Sequence, residues 1–166
     1  MEKKPTSNYT IRFNDCDPFG HLNNARYIDY FLNAREDHLK NFYNLNLKDF
    51  YGQGLSWLVG SHEINYLKPA SYNEIVSIQT SLLHANNNML LVEMVMMDEQ
   101  QSHIKSALWT KFIPVNIKTG KRENHPVEFM GFAKSIQFGN EDDTYDPKAR
   151  LTQIMNEIKT SVPITG

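Results

Sequence analysis

Between residues 27 and 42, Tyr27, Ile28, Tyr30, Phe31, Ala34, His38, Leu39 and Phe42 recur close to a 3.6-residue period. Arg26, Asp29, Asn33, Arg35, Glu36, Asp37 and Lys40 fill most of the other face, which predicts an amphipathic helix. Just upstream, Tyr9 to Phe13 alternates apolar with polar residues and reads as a half-buried strand, after a polar residue 1–8 segment expected to be loose. Downstream of residue 55 the period changes to two. Ser56 to Leu67 sets Trp57, Val59 and Leu67 against Leu58, Ile64 and Tyr66, with Gly60 marking a bulge. Glu74 to Ala85 and Met89 to Met97 flank Asn86-Asn87-Asn88, residues that tolerate left-handed backbone, and predict a hairpin. His103 to Val115 forms a further strand, with Pro114 tolerable near its end or on an edge. One long helix followed by antiparallel strands on short turns describes an α+β domain.

Two stretches fall outside this core pattern. Residues 44–54 read as a connector whose Phe50 and Tyr51 either pack under the helix end, the favoured reading, or cover a substrate. Asp146-Pro147 offers an N-cap and a first-turn proline, and Leu151, Ile154, Met155 and Ile158 then form one apolar stripe. A C-terminal helix is therefore expected to dock on this chain or on a partner subunit. Glu141-Asp142-Asp143 reads as an acidic surface segment before it.

With 166 residues, 40% hydrophobic and 11% aromatic, the chain suffices for one domain with a real core. The expected division is a core domain at 1–132 and an extension at 133–166. Seventeen basic and nineteen acidic residues, mixed in sequence, leave a net charge of −2 and no electrostatic footprint for nucleic acid or an anionic membrane. Cys16 is the only cysteine, so no internal disulfide forms, which suits a reducing compartment. No apolar signal core follows the N-terminus, and the run from Met89 to Met97, interrupted by Glu93, is too short to span a bilayer. These features predict a soluble cytoplasmic protein.

The candidate chemistry lies between the first strand and the long helix, in Asp15-Cys16-Asp17-Pro18-Phe19-Gly20-His21-Leu22-Asn23-Asn24. One reading is local geometry. Asp17, Pro18 and Gly20 occupy favoured positions of a type I turn, and Asn23 or Asn24 suits an N-cap. The other reading is a hydrolytic site. A helix N-terminus presents unpaired amides and about half a positive charge, enough to polarise a carbonyl. A carboxylate a few residues upstream is placed to attack that carbonyl or to activate water.

The pattern Asp-x-Asp-Pro-x-Gly-His-x-Asn-Asn-x-x-Tyr, with a helix running to Ala34-Arg35, resembles the 4-hydroxybenzoyl-CoA thioesterase family of hotdog-fold acyl-CoA thioesterases. Glu63 to Ala70 resembles that family's second strand and the turn leaving it, and the strand order is similar over residues 7–120. The resemblance implies a single hotdog domain: a long central helix wrapped by a curved antiparallel sheet of about five strands. It also implies paired subunits, as a homodimer or tetramer, with acyl-CoA along their interface. It makes Asp17 the catalytic nucleophile or general base, and gives the backbone at Asn23, Asn24 and Ala25 to the thioester carbonyl. Gly20, His21 and Asn24 would line the site, with no metal and no cofactor beyond the coenzyme A of the substrate. Asn73-Glu74 departs from the Gly-Asp of many relatives, so the shape of that turn stays open.

Other readings compete. A non-catalytic hotdog module would bind acyl groups or scaffold an assembly, and an acyl carrier protein could replace coenzyme A as the carrier. Asp15, Asp17 and His21 offer three mixed metal ligands on one loop. Cys16 lies between two aspartates, whose charge raises a thiol pKa, so it reads as inert. Lys118 to Arg122 is a basic turn, either solvated or a contact for coenzyme A phosphates. The sequence does not choose the acyl chain.

Overall fold

The structure is a computed structural model describing residues 1–139 and 145–161. The acidic segment expected at Glu141 to Asp143 lies outside the described residues.

Five strands form one antiparallel sheet in the order β1-β3-β4-β5-β2. They are β1 (Thr6–Thr10), β2 (Leu55–Tyr66), β3 (Ile75–Asn86), β4 (Met89–Asp98) and β5 (Ile104–Asn116). The sheet is curved, and the long helix α1 (Tyr27–Tyr43) lies across it, as expected. Three further helices are α2 (Leu47–Gly52), α3 (Val127–Ile136) and α4 (Pro147–Ser161).

Period-two alternation on β4 separates two cores. Val92, Met94 and Met96 face α1 with Phe31, Ala34 and Leu108. Leu91, Val95 and Met97 face the opposite side with Trp109, and Ile154 of α4 covers them. Both faces of β4 are buried, which explains its near-continuous apolar run. The C-terminal helix thus docks on this chain, with Leu151 and Ile158 beside Ile154 and Met155 left exposed.

Local chemistry decides several element ends. Gly60 is the bulge, where the β2–β5 register shifts between Val59 and Ser61. A β-carbon there would come within 3.0 Å of Ile113. Asn73 takes the left-handed conformation at φ 64°, the geometry a glycine would otherwise supply. Glu74 accepts from the Ser71 amide at 2.9 Å and pairs with the buried Lys105, also at 2.9 Å. By contrast, Asn87 and Asn88 keep negative φ; the hairpin turn relies on Asn86 Oδ1 accepting from the Asn88 amide.

Three expectations about elements change. Residues 6–8 are not loose: β1 begins at Thr6 and pairs with β3 from Thr6↔Gln79 to Thr10↔Ile75. The connector contains α2, capped by Asn46 Oδ1 accepting from the Lys48 amide, and its Phe50 packs on Trp57 and Phe129. Helix α3 is an unexpected element; Phe129, Phe132, Ala133 and Ile136 recur on one side of it, and Ala133 and Ile136 are buried in the core against β3. Position 132, the expected limit of the core domain, lies within it.

The buried face of α1 carries two basic side chains, Arg35 and His38. His38 is fully buried, with Nδ1 2.7 Å from Thr80 Oγ1 and Nε2 3.0 Å from Ser7 Oγ. Arg35 Nη1 donates to the same Thr80 oxygen at 3.0 Å. The network is satisfied when Thr80 donates to Nδ1 and a neutral His38 donates from Nε2 to Ser7. Burial, then the Arg35 charge, push the His38 pKa down from 6.5 to about 4. The unfolded chain therefore takes up this proton before the folded one. Stability from His38 is full above about pH 6.5 and is lost as pH falls toward about 4. Thermal unfolding of wild type and His38→Gln across that window is expected to diverge, the wild type losing more on acidification. Parallel curves would overturn this assignment.

Candidate active site

The loop after β1 is a tight hairpin held from three sides. Cys16 and Leu22 form an antiparallel bridge, and His21 bridges Ser71. Leu22 donates to Ala70 at 2.8 Å and Tyr72 donates to Gly20 at 2.8 Å, so the tip is docked on the turn between β2 and β3. At the tip Gly20 donates to the Asp17 carbonyl at 3.1 Å, closing the expected turn. Gly20 has φ 77° with open space around its α-carbon, so conformation rather than room requires glycine.

The two aspartates separate clearly. Asp15 is structural: its Oδ2 accepts from the Tyr30 hydroxyl at 2.7 Å, tying the loop to α1. Burial, then the hydrogen bond to Asp15, push the Tyr30 hydroxyl up to about 12. Asp17 Oδ1 accepts from the amides of Phe19 at 2.9 Å and His21 at 3.1 Å. Its Oδ2 takes no hydrogen bond from the described residues. Both readings of the loop are therefore present in one side chain, since one oxygen fixes the turn and the other is available.

The chain then returns beside Asp15, whose carbonyl accepts from the Asn23 amide at 2.9 Å. Asn23 Oδ1 accepts from the Ala25 amide at 3.1 Å and caps a 3₁₀ turn, Asn24–Arg26, that leads into α1. Of the amides expected to hold a carbonyl, those of Asn23 and Ala25 are thus occupied within the protein. The Asn24 amide has no acceptor among the described residues, and its carbonyl accepts from the Tyr66 hydroxyl at 2.9 Å. His21, Asn23, Asn24 and Ala25 are all solvent-exposed, while Asp17 and Gly20 are half-buried.

Two alternative chemistries find little footing. Burial, then Asp15 and Asp17, raise the Cys16 thiol pKa, and its Sγ donates to the Arg12 carbonyl at 3.3 Å. Among the described residues no three His, Cys, Asp or Glu side chains converge as a metal site, and Asp15 is committed to Tyr30. The basic turn at Lys118 to Arg122 follows the far end of β5, a strand of about 40 Å, while Lys105 at its near end meets Pro69 beside the loop.

Comparison with known proteins decides the family. The profile of the thioesterase-like superfamily matches residues 11–136, from the end of β1 through α3. The chain belongs to the thioesterase-like superfamily. This superfamily member is 25% identical over 111 residues to the long-chain acyl-CoA thioesterase FadM of Escherichia coli (strain K12), covering 67% of this chain and 83% of that one. Its fold resembles the DHNA-CoA thioesterase of Staphylococcus aureus, with TM-score 0.72 and 19% identity over 80% of this chain and 89% of that chain. It also resembles a hypothetical Staphylococcus aureus protein solved in complex with CoA, with TM-score 0.76 and 15% identity over 90% and 94% of the two chains. The expected hotdog architecture is therefore the architecture of this superfamily member.

Several neighbours of the site went unread in the sequence. Phe19 is 85% exposed, Phe13 is 78% exposed, and Phe13 meets Tyr72 edge-on at 5.9 Å between ring centres, giving an apolar rim around the Asp17 hairpin. A second feature lies farther along α1, where a cavity of about 250 Å³ is lined by Leu32, Leu39, Trp57, Val92, Phe112 and Phe129 among others. Arg35 belongs to this lining and is only 7% exposed, although the helix pattern set it on the polar face. Its spacing of four from Phe31 and eight from Tyr27, both buried, was the signal that places it inside.

Proposed function

We propose that this chain is a cytoplasmic acyl-CoA thioesterase in which Asp17 acts on the thioester carbonyl. Membership of the thioesterase-like superfamily supports thioester hydrolysis. The observation that carries the residue assignment is the Asp17 carboxylate itself, fixed through Oδ1 by two amides and open at Oδ2 among the described residues, in the loop that leads into the helix start. Oδ2 attacks the carbonyl carbon, or takes a proton from the water that does. The Asn24 amide donates to the carbonyl oxygen as charge develops there, the C–S bond breaks, and the thiolate of coenzyme A leaves. The water route gives the free acid directly, and the nucleophile route gives an Asp17–acyl anhydride that a water then hydrolyses to the acid. Coenzyme A enters as part of the substrate, and no resident metal or cofactor has a role. Gly20 shapes the hairpin, while His21, Asn23 and Ala25 line and order the carbonyl end.

Purified protein is expected to release thiol from at least one member of a panel of short, medium, long and aromatic acyl-CoAs. The long-chain members come first because the FadM relative is a long-chain acyl-CoA thioesterase. Release from acyl carrier protein thioesters alone would change the carrier. No release from either carrier would leave an acyl-binding or scaffolding module.

Self-association also belongs to this reading. Strand β2 is a sheet edge whose residues from Leu58 to Glu63 are exposed, the apolar Leu58 and Val59 among them. Its outer hydrogen-bonding row has no strand partner among the described residues. A homodimer is expected, and light scattering should give about twice the 19.3 kDa chain mass. A monomer at working concentration would contradict it.

A further inference from the structure

The cavity along α1 poses a charge problem. Its walls are largely leucine, valine and aromatic side chains, yet the buried Arg35 is one of the residues that line it. Arg35 carries five N–H donors. Thr80 Oγ1 accepts one of them, and the Tyr43 hydroxyl also favours the charged form. No carboxylate among the described residues forms an ion pair with Arg35; Glu36 stands exposed at the cavity wall without pairing to it. Burial pushes the Arg35 pKa down to about 10, which still leaves the side chain charged near neutral pH. A buried charge without a counter-charge is costly, and guanidinium geometry matches a carboxylate in a two-pronged pair.

We propose that this cavity is a binding site for a free carboxylic acid with a compact apolar tail, its carboxylate on Arg35 and its tail among Leu90, Phe112 and Phe129. A neutral thioester or alcohol offers no counter-charge, so the acid itself is the ligand. The size follows from the volume. A water molecule's share of liquid volume is about 30 Å³, so 250 Å³ is the room of about eight waters, enough for a compact acid such as hexanoate. The site is distinct from the Asp17 hairpin. None of residues 15–24 lines it, and Arg35 lies about 12 Å along the helix axis from Tyr27. The inference therefore stands apart from the proposed hydrolysis, although a free acid is also what thioester hydrolysis produces.

The test is calorimetric titration of the full chain with hexanoate, with 1-hexanol as the neutral control, and no turnover assay. Wild type is expected to bind one hexanoate per chain, and hexanol about tenfold or more weakly, the ratio expected of a charge-assisted hydrogen bond pair. Arg35→Met should remove that preference. Ala133→Leu, which fills the cavity from α3 and leaves Arg35 in place, should block both ligands, so the inference stays testable even where Arg35→Met fails to fold. Asp17→Asn should bind hexanoate like wild type. The proposal is overturned by no hexanoate binding in wild type, by hexanol binding equally well, by undiminished binding in Ala133→Leu, or by loss of binding in Asp17→Asn. Failure of thioester hydrolysis with hexanoate binding intact would remove the Asp17 assignment alone.

Discussion

Asp17→Asn is expected to fold like wild type and to lose turnover of its acyl-CoA substrate by about a thousandfold, the scale of removing a positioned base or nucleophile. The structure makes this substitution unusually clean. Asparagine keeps the Oδ1 acceptor for the Phe19 and His21 amides, so the hairpin retains both hydrogen bonds. What disappears is the charge and the free Oδ2, replaced by an amide nitrogen that neither attacks nor accepts a proton. Asp17→Ala removes both functions and is expected to cost about 1 kcal/mol of stability as well, the usual size for hydrogen bonds at a partly exposed turn. Measured together, kcat and Tm of the two variants separate the roles: Asn should lower kcat alone, Ala both. Near-wild-type kcat in Asp17→Asn would reduce Asp17 to a turn residue.

Arg150→Met is expected to destabilise the fold by about 3 kcal/mol and to release α4 from the sheet. Glu93 points from β4 into the core under α4, where it is 4% exposed. Arg150 closes on it with Nη2 2.7 Å from Oε1 and Nε 2.8 Å from Oε2, and Trp109 Nε1 donates to Oε2 at 2.9 Å. The hydrogen bond and charge of Glu93 hold the Arg150 pKa up. Removing the arginine leaves a buried carboxylate with one neutral donor, and the cost arises from that stranded charge more than from the lost contact. Glu93→Gln combined with Arg150→Met should recover part of the loss, because the amide oxygen still accepts from Trp109 without needing a counter-charge. Denaturant unfolding of wild type and the two variants checks this; an Arg150→Met variant as stable as wild type would show that the apolar stripe alone holds α4.

Glu93 also illustrates how far the linear pattern reaches. Its position in the run from Met89 to Met97 identifies it as an interruption, but its partner is 57 residues away. Arg35 is similar. As a charged residue it sorts with the polar face of α1, whereas its helical spacing from Tyr27 and Phe31 carries it inside. Helix α2 is obscured because six residues are too few to express a helical period, whereas α3 does carry one, with Phe129, Phe132, Ala133 and Ile136 toward the core. Phe50, Phe129 and Trp57 find each other only in the folded chain.

By itself the sequence determined the α1 stripe, the long strands β2 to β5, the bulge at Gly60, the docking stripe of α4 and the turn carrying Asp17. Each of these depends on local periodicity or on the conformational needs of glycine, proline and asparagine, which neighbours a few residues apart express. The tertiary structure decided which aspartate is tied and which is free, since Tyr30 reaches Asp15 across fifteen residues while Asp17 is served by amides two and four residues away. It likewise decided that a buried arginine lines an apolar cavity and that α4 closes the second core through Glu93. Those outcomes depend on which side chains meet across the sheet, and pairing between distant residues leaves no period in the chain.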